Sequence, residues 1–192
     1  FVLRIFNSMD TLVLDIETKN TFVDVGGRQN MLQMLISVVC VYSYQKNEYL
    51  IFNESQFSNL KSILSSPAVI VGFSSNKFDI PLLNHHLGLN LNEYPRVDLS
   101  DEIEQRTGRM IGLGALAKLN LGKDKKGVNV GAKDLYNAGK FEELAEYCRH
   151  DVELTKELYD GVKKNGYILI PNTAKTAIKK VSIQLPDTGK SW

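Results

Sequence analysis

Thr11-Leu12-Val13-Leu14-Asp15-Ile16-Glu17-Thr18 is the stretch on which the fold turns. Residues 11–16 are β-branched or aliphatic up to the first acid, which predicts a buried strand. Asp15 and Glu17 stand one residue apart, so on an extended chain both side chains leave the same face. Carboxylates beside so apolar a run are costly to bury unless a cation accompanies them. Taken alone, the pair also fits a strand that has already ended, with both acids in water.

Outward from this strand, a loop at Gly26 and Gly27 leads to a second strand over 34–44 and a hairpin partner over 47–52. A helix beginning at Ser55 places Phe57, Leu60, Ile63 and Leu64 at helical spacing. Residues 68–72 (AVIVG) form a short apolar strand of the kind covered on both faces. A polar turn over 74–77 opens a helix over 79–87, with Pro81 in its first turn, where proline is tolerated. Residues 96–99 suit one more short strand, and 101–139 read as helix interrupted by glycines, with Lys123, Lys125 and Lys126 in one loop. Residues 140–165 form a long amphipathic helix, stopped by Gly166. The tail after Pro171 is polar and weakly patterned. Strands first, then helices alternating with strands, define an α/β domain with a mixed sheet. The strand over 11–16 is expected at or next to its centre. A single domain over 1–192 is expected, with a core of about 10–170 and a tail over 171–192.

Composition narrows the classes. The chain has 192 residues, 43% apolar and 23% charged, the balance of an ordinary globular protein. A formal net charge of +1 is too small for binding nucleic acid through bulk charge, so any such affinity must come from metals and local lysines. No apolar run reaches the length of a membrane span. Residues 1–9 lack a small-residue cleavage site, so no secretory leader is expected there. Phe1 is not an initiating methionine, which fits a piece of a larger protein or complex. Cys40 and Cys148 have no metal-ligand spacing and are expected as reduced core thiols in the cytoplasm.

Two further acids stand out. Tyr147 and Asp151 are four apart on the long helix, on the face that carries Leu144, Leu154 and Leu158. Asp79 opens a helix, where an acid also serves as a simple cap. Each feature has a plain structural explanation when taken singly; their conjunction does not.

Asp15-Ile16-Glu17-Thr18 resembles the first motif of the DEDD exonucleases. Residues 72–83 (GFSSNKFDIPLL) are similar to the second motif, nearest that of the proofreading domains of family B DNA polymerases. Tyr147-Cys148-Arg149-His150-Asp151 is similar to the Y-x-x-x-D motif of the tyrosine branch. The resemblance spans residues 15–154 and implies a ribonuclease H-like fold. The 192 residues leave no room for a polymerase, so the expectation is a stand-alone 3′–5′ exonuclease domain. It further implies two divalent cations, Mg²⁺ or Mn²⁺, held by Asp15, Glu17, Asp79 and Asp151, with Asp15 bridging both and Tyr147 orienting the attacking water. The substrate it implies is the 3′ end of single-stranded DNA or RNA, DNA favoured, contacted through Thr18, Phe73, Ser74 and Asn76. One departure matters: where such proofreading domains carry an asparagine five residues before the second-motif aspartate, Ser74 stands here.

Other residues are expected outside the site. His150 lies one position off the Tyr147–Asp151 face and reads as surface. His85 and His86 sit late in a helix, where the dipole favours them. Gly189-Lys190-Ser191 lacks the leading glycine of a phosphate loop, Gln184 standing in its place. The loop lysines Lys123, Lys125 and Lys126 are expected in solvent, with a grip on backbone phosphates as the alternative. Two rival functions share these residues: a binding or scaffold module that keeps the fold without chemistry, and a ribonuclease H-like endonuclease. The complete set of acids plus tyrosine favours the exonuclease.

Overall fold

The computed structural model describes residues 9–125, 130–174 and 176–185. The opening segment 1–8, Lys126 and Gly189-Lys190-Ser191 lie outside the described residues. Five strands form one mixed sheet: β1 (Asp10–Thr18), β2 (Ile36–Ser43), β3 (Glu48–Asn53), β4 (Ala68–Gly72) and β5 (Arg96–Asp98). Their order is β3-β2-β1-β4-β5, which puts β1 at the centre. β2 and β3 pair antiparallel, β2 against β1 and β3 against β2, while β4 runs parallel to β1 and β5 to β4.

Both faces of the sheet are covered, which explains why β1 and β4 are apolar almost throughout. On one face α1 (Phe57–Leu64) and α2 (Asp79–Leu87) pack against Leu12, Leu14, Ile16, Val39 and Ile70. On the other, α6 (Phe141–Asn165) crosses β1 and β2, burying Leu144, Cys148, Val152 and Leu154 against Val13, Val38 and Cys40. Its 25 residues end at Gly166, which takes the left-handed conformation that glycine adopts without penalty. Cys40 and Cys148 are free and buried, as expected of core thiols.

The interrupted stretch 101–139 resolves into α3 (Leu99–Thr107), α4 (Leu113–Leu121) and α5 (Ala132–Asn137). α3 starts earlier than its sequence suggests, because Asp98 caps it by accepting from the Ser100 and Asp101 amides.

The weakly patterned tail holds the clearest departure. Residues Tyr167–Pro171 (β6) and Ile178–Ser182 (β7) pair as an antiparallel hairpin. Ile168 and Ile170 of β6 are buried against α4 and α6, and Ile183, just after β7, is buried in the same core. Four of the five residues of β7 are exposed, so the alternation that marks a half-buried strand is missing from its sequence.

Candidate active site

Asp15 and Glu17 stand at the C-terminal end of β1 and face α6, whose Asp151 comes down to meet them. Ligand oxygens of Asp15, Glu17 and Asp151 all lie within 4.8 Å of one another, although the ends of this set are 136 positions apart in the chain. Tyr147, one turn before Asp151, is half-buried beside them. The Cys148 thiol packs beneath, its Sγ 3.4 Å from the Asp15 carbonyl.

Asp79 arrives from the other side of β1. β4 pairs only with residues 10–13 of β1, so the Ile16 amide has no strand partner there. It donates instead to Asp79 Oδ1 at 3.1 Å, between Asp15 and Glu17 in the chain. Asp79 is 4% exposed, at the first turn of α2. The preceding turn can form because Gly72 has no side chain: a Cβ there would lie 2.3 Å from Ser75 Oγ.

Electrostatics set this cluster apart. Burial pushes the Asp15 carboxyl well above its ordinary range, and Glu17, Asp79 and Asp151 push it further. Glu17 rises to about 8, through burial and then the Asp151 charge. Asp79 rises to about 7 by burial, against the opposing pull of backbone amides including Ile16. Burial also raises Asp151, with Lys125 opposing. The Lys125 ammonium lies 2.6 Å from Asp151 Oδ2 and 5.6 Å from the centre of the Tyr147 ring. Among the described residues, this one lysine faces four acids and cannot balance them. Hard carboxylate oxygens at this separation suit a hard divalent cation, so the residues present fit the metal that the resemblance implies.

Several expectations need correction. Lys125 is drawn into the acid cluster and is not a solvated loop residue. Lys123 is bound by Glu153 and Glu157, both at 2.7 Å. His150 is buried at 8% exposure, its Nε2 3.0 Å from the Asp124 carbonyl. The reason is that α6 is covered by the Lys125 loop as well as by the sheet, so a position off the sheet-facing stripe is still enclosed. His86 contacts the Met34 carbonyl and His85 is exposed, with neither in a metal-ligand group among the described residues.

The expected substrate contacts stand at the end of β1, for Thr18, and in the turn after β4, for Phe73, Ser74 and Asn76. Thr18 is buried and its hydroxyl donates to the Asn20 carbonyl at 2.8 Å. Phe73 is half-buried against the α6-side core. Ser74 takes a left-handed φ of 60° and its amide donates to Asp98 Oδ1. Asn76 is occupied: its side chain donates to Asp101 and accepts from Arg96, each at 2.9 Å.

Asp98, overlooked in the sequence, organises this second-motif turn by accepting from the amides of Ser74, Asn76 and Ser100. Its one sequence signal was an acid immediately before the helical stretch over 99–107, the mark of a helix cap.

A central mixed sheet, with acids gathered where β1 meets the crossing helix, defines a nuclease of the ribonuclease H-like superfamily. Within it, the 3′–5′ exonuclease family model matches residues 3–166, and the chain belongs to that divalent-metal-dependent family. No curated protein matches the chain. Among solved structures it is similar to the family B DNA polymerase from the hyperthermophilic archaeon Pyrobaculum calidifontis, with TM-score 0.60 and 18% identity. That match covers 81% of this chain and 25% of the polymerase, so the chain spans about a quarter of its length. Among the described residues, no helix is long and apolar enough to cross a membrane.

Proposed function

We propose that this chain shortens single-stranded nucleic acid from its 3′ end, DNA in preference to RNA, releasing nucleoside 5′-monophosphates with the help of two divalent cations. The observation that carries this reading is the meeting of Asp15, Glu17 and Asp151 within 4.8 Å, with Asp79 bonded to the backbone between the first two. When bound, two Mg²⁺ or Mn²⁺ ions would neutralise the phosphate, activate a water and stabilise the leaving oxygen. Asp15, Glu17, Asp151 and Asp79 would hold the ions.

The remaining residues position and balance charge. The Tyr147 hydroxyl is raised above its ordinary pKa by burial, so it stays protonated and orients the attacking water as a hydrogen-bonding group, not as a base. Lys125 keeps a positive charge beside Asp151, where a phosphate must enter. The terminal nucleotide would be contacted at Thr18, Phe73, Ser74 and Asn76, three of which already bond within the chain. The likeness to a DNA polymerase supports DNA as the preferred substrate.

The test is incubation of the full chain with 5′-labelled single-stranded DNA and RNA, with Mg²⁺, Mn²⁺ or a chelator. A ladder of progressively shortened labelled products, lost on chelation, is expected. Internal cleavage would instead mark an endonuclease, and binding without cleavage a scaffold.

A further inference from the structure

At the same end of the sheet as the acids, a cavity of about 470 Å³ opens between β2, β3 and the first turn of α6, with Tyr136 of α5 also in its wall. Its position follows from strand register. Glu17 pairs with Val38, and Val38 pairs with Asn53, so the three form one row across β1, β2 and β3. Val38 and Asn53 line the cavity, which therefore begins about one strand spacing, ~4.8 Å, from the Glu17 backbone.

The lining is built for a flat polar ring. Thr18 pairs with Ile36, so Ser37 is the extra residue of a bulge, a device that re-aims a side chain. Ser37 is 6% exposed, and its hydroxyl has no hydrogen-bond partner among the described residues. Asn53 and Gln56 use their carbonyl oxygens on the turn backbone, and their amide N–H groups have no acceptor among the described residues. Phe141 is 60% exposed beside the cavity, edge-on to Tyr136 at 5.7 Å. Lys19, two residues after Glu17, joins the two sites: it pairs with Glu54 of the cavity wall at 2.6 Å and lies 5.3 Å from the Tyr136 ring centre.

We propose that this cavity is a subsite for one unpaired nucleobase of the strand being shortened, upstream of the terminal nucleotide; this rests on the exonuclease reading above. Phe141 supplies a stacking face, and Ser37, Asn53 and Gln56 meet the edge of the base. The carboxylate of Glu142 in the wall repels a phosphate, so the base enters and the backbone stays outside. The volume lies within the range of small-molecule sites.

The test compares a short 5′-labelled oligodeoxynucleotide, long enough to reach the cavity, with the p-nitrophenyl ester of thymidine 5′-monophosphate, which fills only the acid cluster. Phe141→Ala, Ser37→Ala and the cavity-filling Ala145→Phe should each raise KM for the oligonucleotide, about fivefold or more where a stacked base is lost. Oligonucleotide kcat and all turnover of the ester should stay at wild-type values. Phe141 is exposed, so Phe141→Ala remains informative even if Ala145→Phe does not fold. Wild-type KM in the folded variants overturns the subsite alone, as does an equal rise on both substrates, which signals damage to the acid cluster. Wild-type protein that hydrolyses neither substrate overturns the exonuclease reading and the subsite together.

Discussion

Asp15 and Asp98 are both aspartates enclosed by the fold at the C-terminal end of a strand, yet their surroundings are opposite. Asp98 is ringed by donors: the amides of Ser74, Asn76, Ser100 and Asp101 satisfy its oxygens, and those of Asn76, Ser74 and Asp101 oppose the upward push of burial and of the Asp101 charge. Asp15 is ringed by acids, which add to that push, with Lys125 as the opposing cation. A buried acid that serves the fold is given partners at home. One that faces other acids has the setting of a candidate ligand for a cation. The difference separates a structural carboxylate from a candidate metal ligand more sharply than burial does.

Substituting each acid by its amide should break the comparison in opposite directions. Asp15→Asn should abolish nuclease activity, by on the order of a thousandfold or more, because a proposed metal ligand is lost. The metal-free protein should nonetheless melt no lower than wild type, since one repelling charge is gone. Activity close to wild type in Asp15→Asn would remove Asp15 from the site.

Tyr147→Phe tests the neutral member of the cluster. With the ring and all four acids kept, the rate should fall about tenfold to a thousandfold, while the melting-temperature gain on adding Mn²⁺ stays at the wild-type value. A wild-type rate would make Tyr147 a packing residue.

Asp98→Asn exchanges acceptor for donor against several backbone amides. A stability loss of about 1.5–3 kcal/mol is expected, read as a lower denaturation midpoint in urea. An unchanged midpoint would show that the second-motif turn does not depend on this carboxylate.

The smallest expected effect is on pH dependence. Glu17 and Asp79 have folded-state pKa values raised to about 8 and about 7, so the folded protein holds protons that the unfolded chain releases. Their contribution is fully present below the ordinary carboxylate range and is lost as pH rises through those values. In chelator, the melting temperature should therefore decline as pH rises through 7 and 8. The gain from Mn²⁺ should widen over the same range, because the ligands must be deprotonated to bind. A gain independent of pH would mean that the ion binds elsewhere.

Much of this architecture was legible in local pattern. The apolar runs of β1 and β4, the amphipathic stripe of α6 and the Gly166 stop are properties of neighbouring residues, and each stands where the chain predicts it. The β6–β7 hairpin was not legible, because β7 has little covered surface to impose alternation. His150 was misread because helical spacing reports a residue's angle on its own helix and nothing about what covers that angle.

The sequence by itself determined the chemical kind of the site: hard oxygen donors, their order along the chain, and the strand or helix that carries each. Periodicity, capping and motif spacing are local, so they survive being read one residue after another. Only the tertiary structure decided that Lys125 enters the acid cluster while Lys123 leaves it for α6, and that Asn76 is held by Arg96 and Asp101. It also decided that the bulge at Ser37 opens toward a cavity one strand away from Glu17. These outcomes depend on contacts between segments far apart in the chain, where loop conformation and strand register are set by what packs against them.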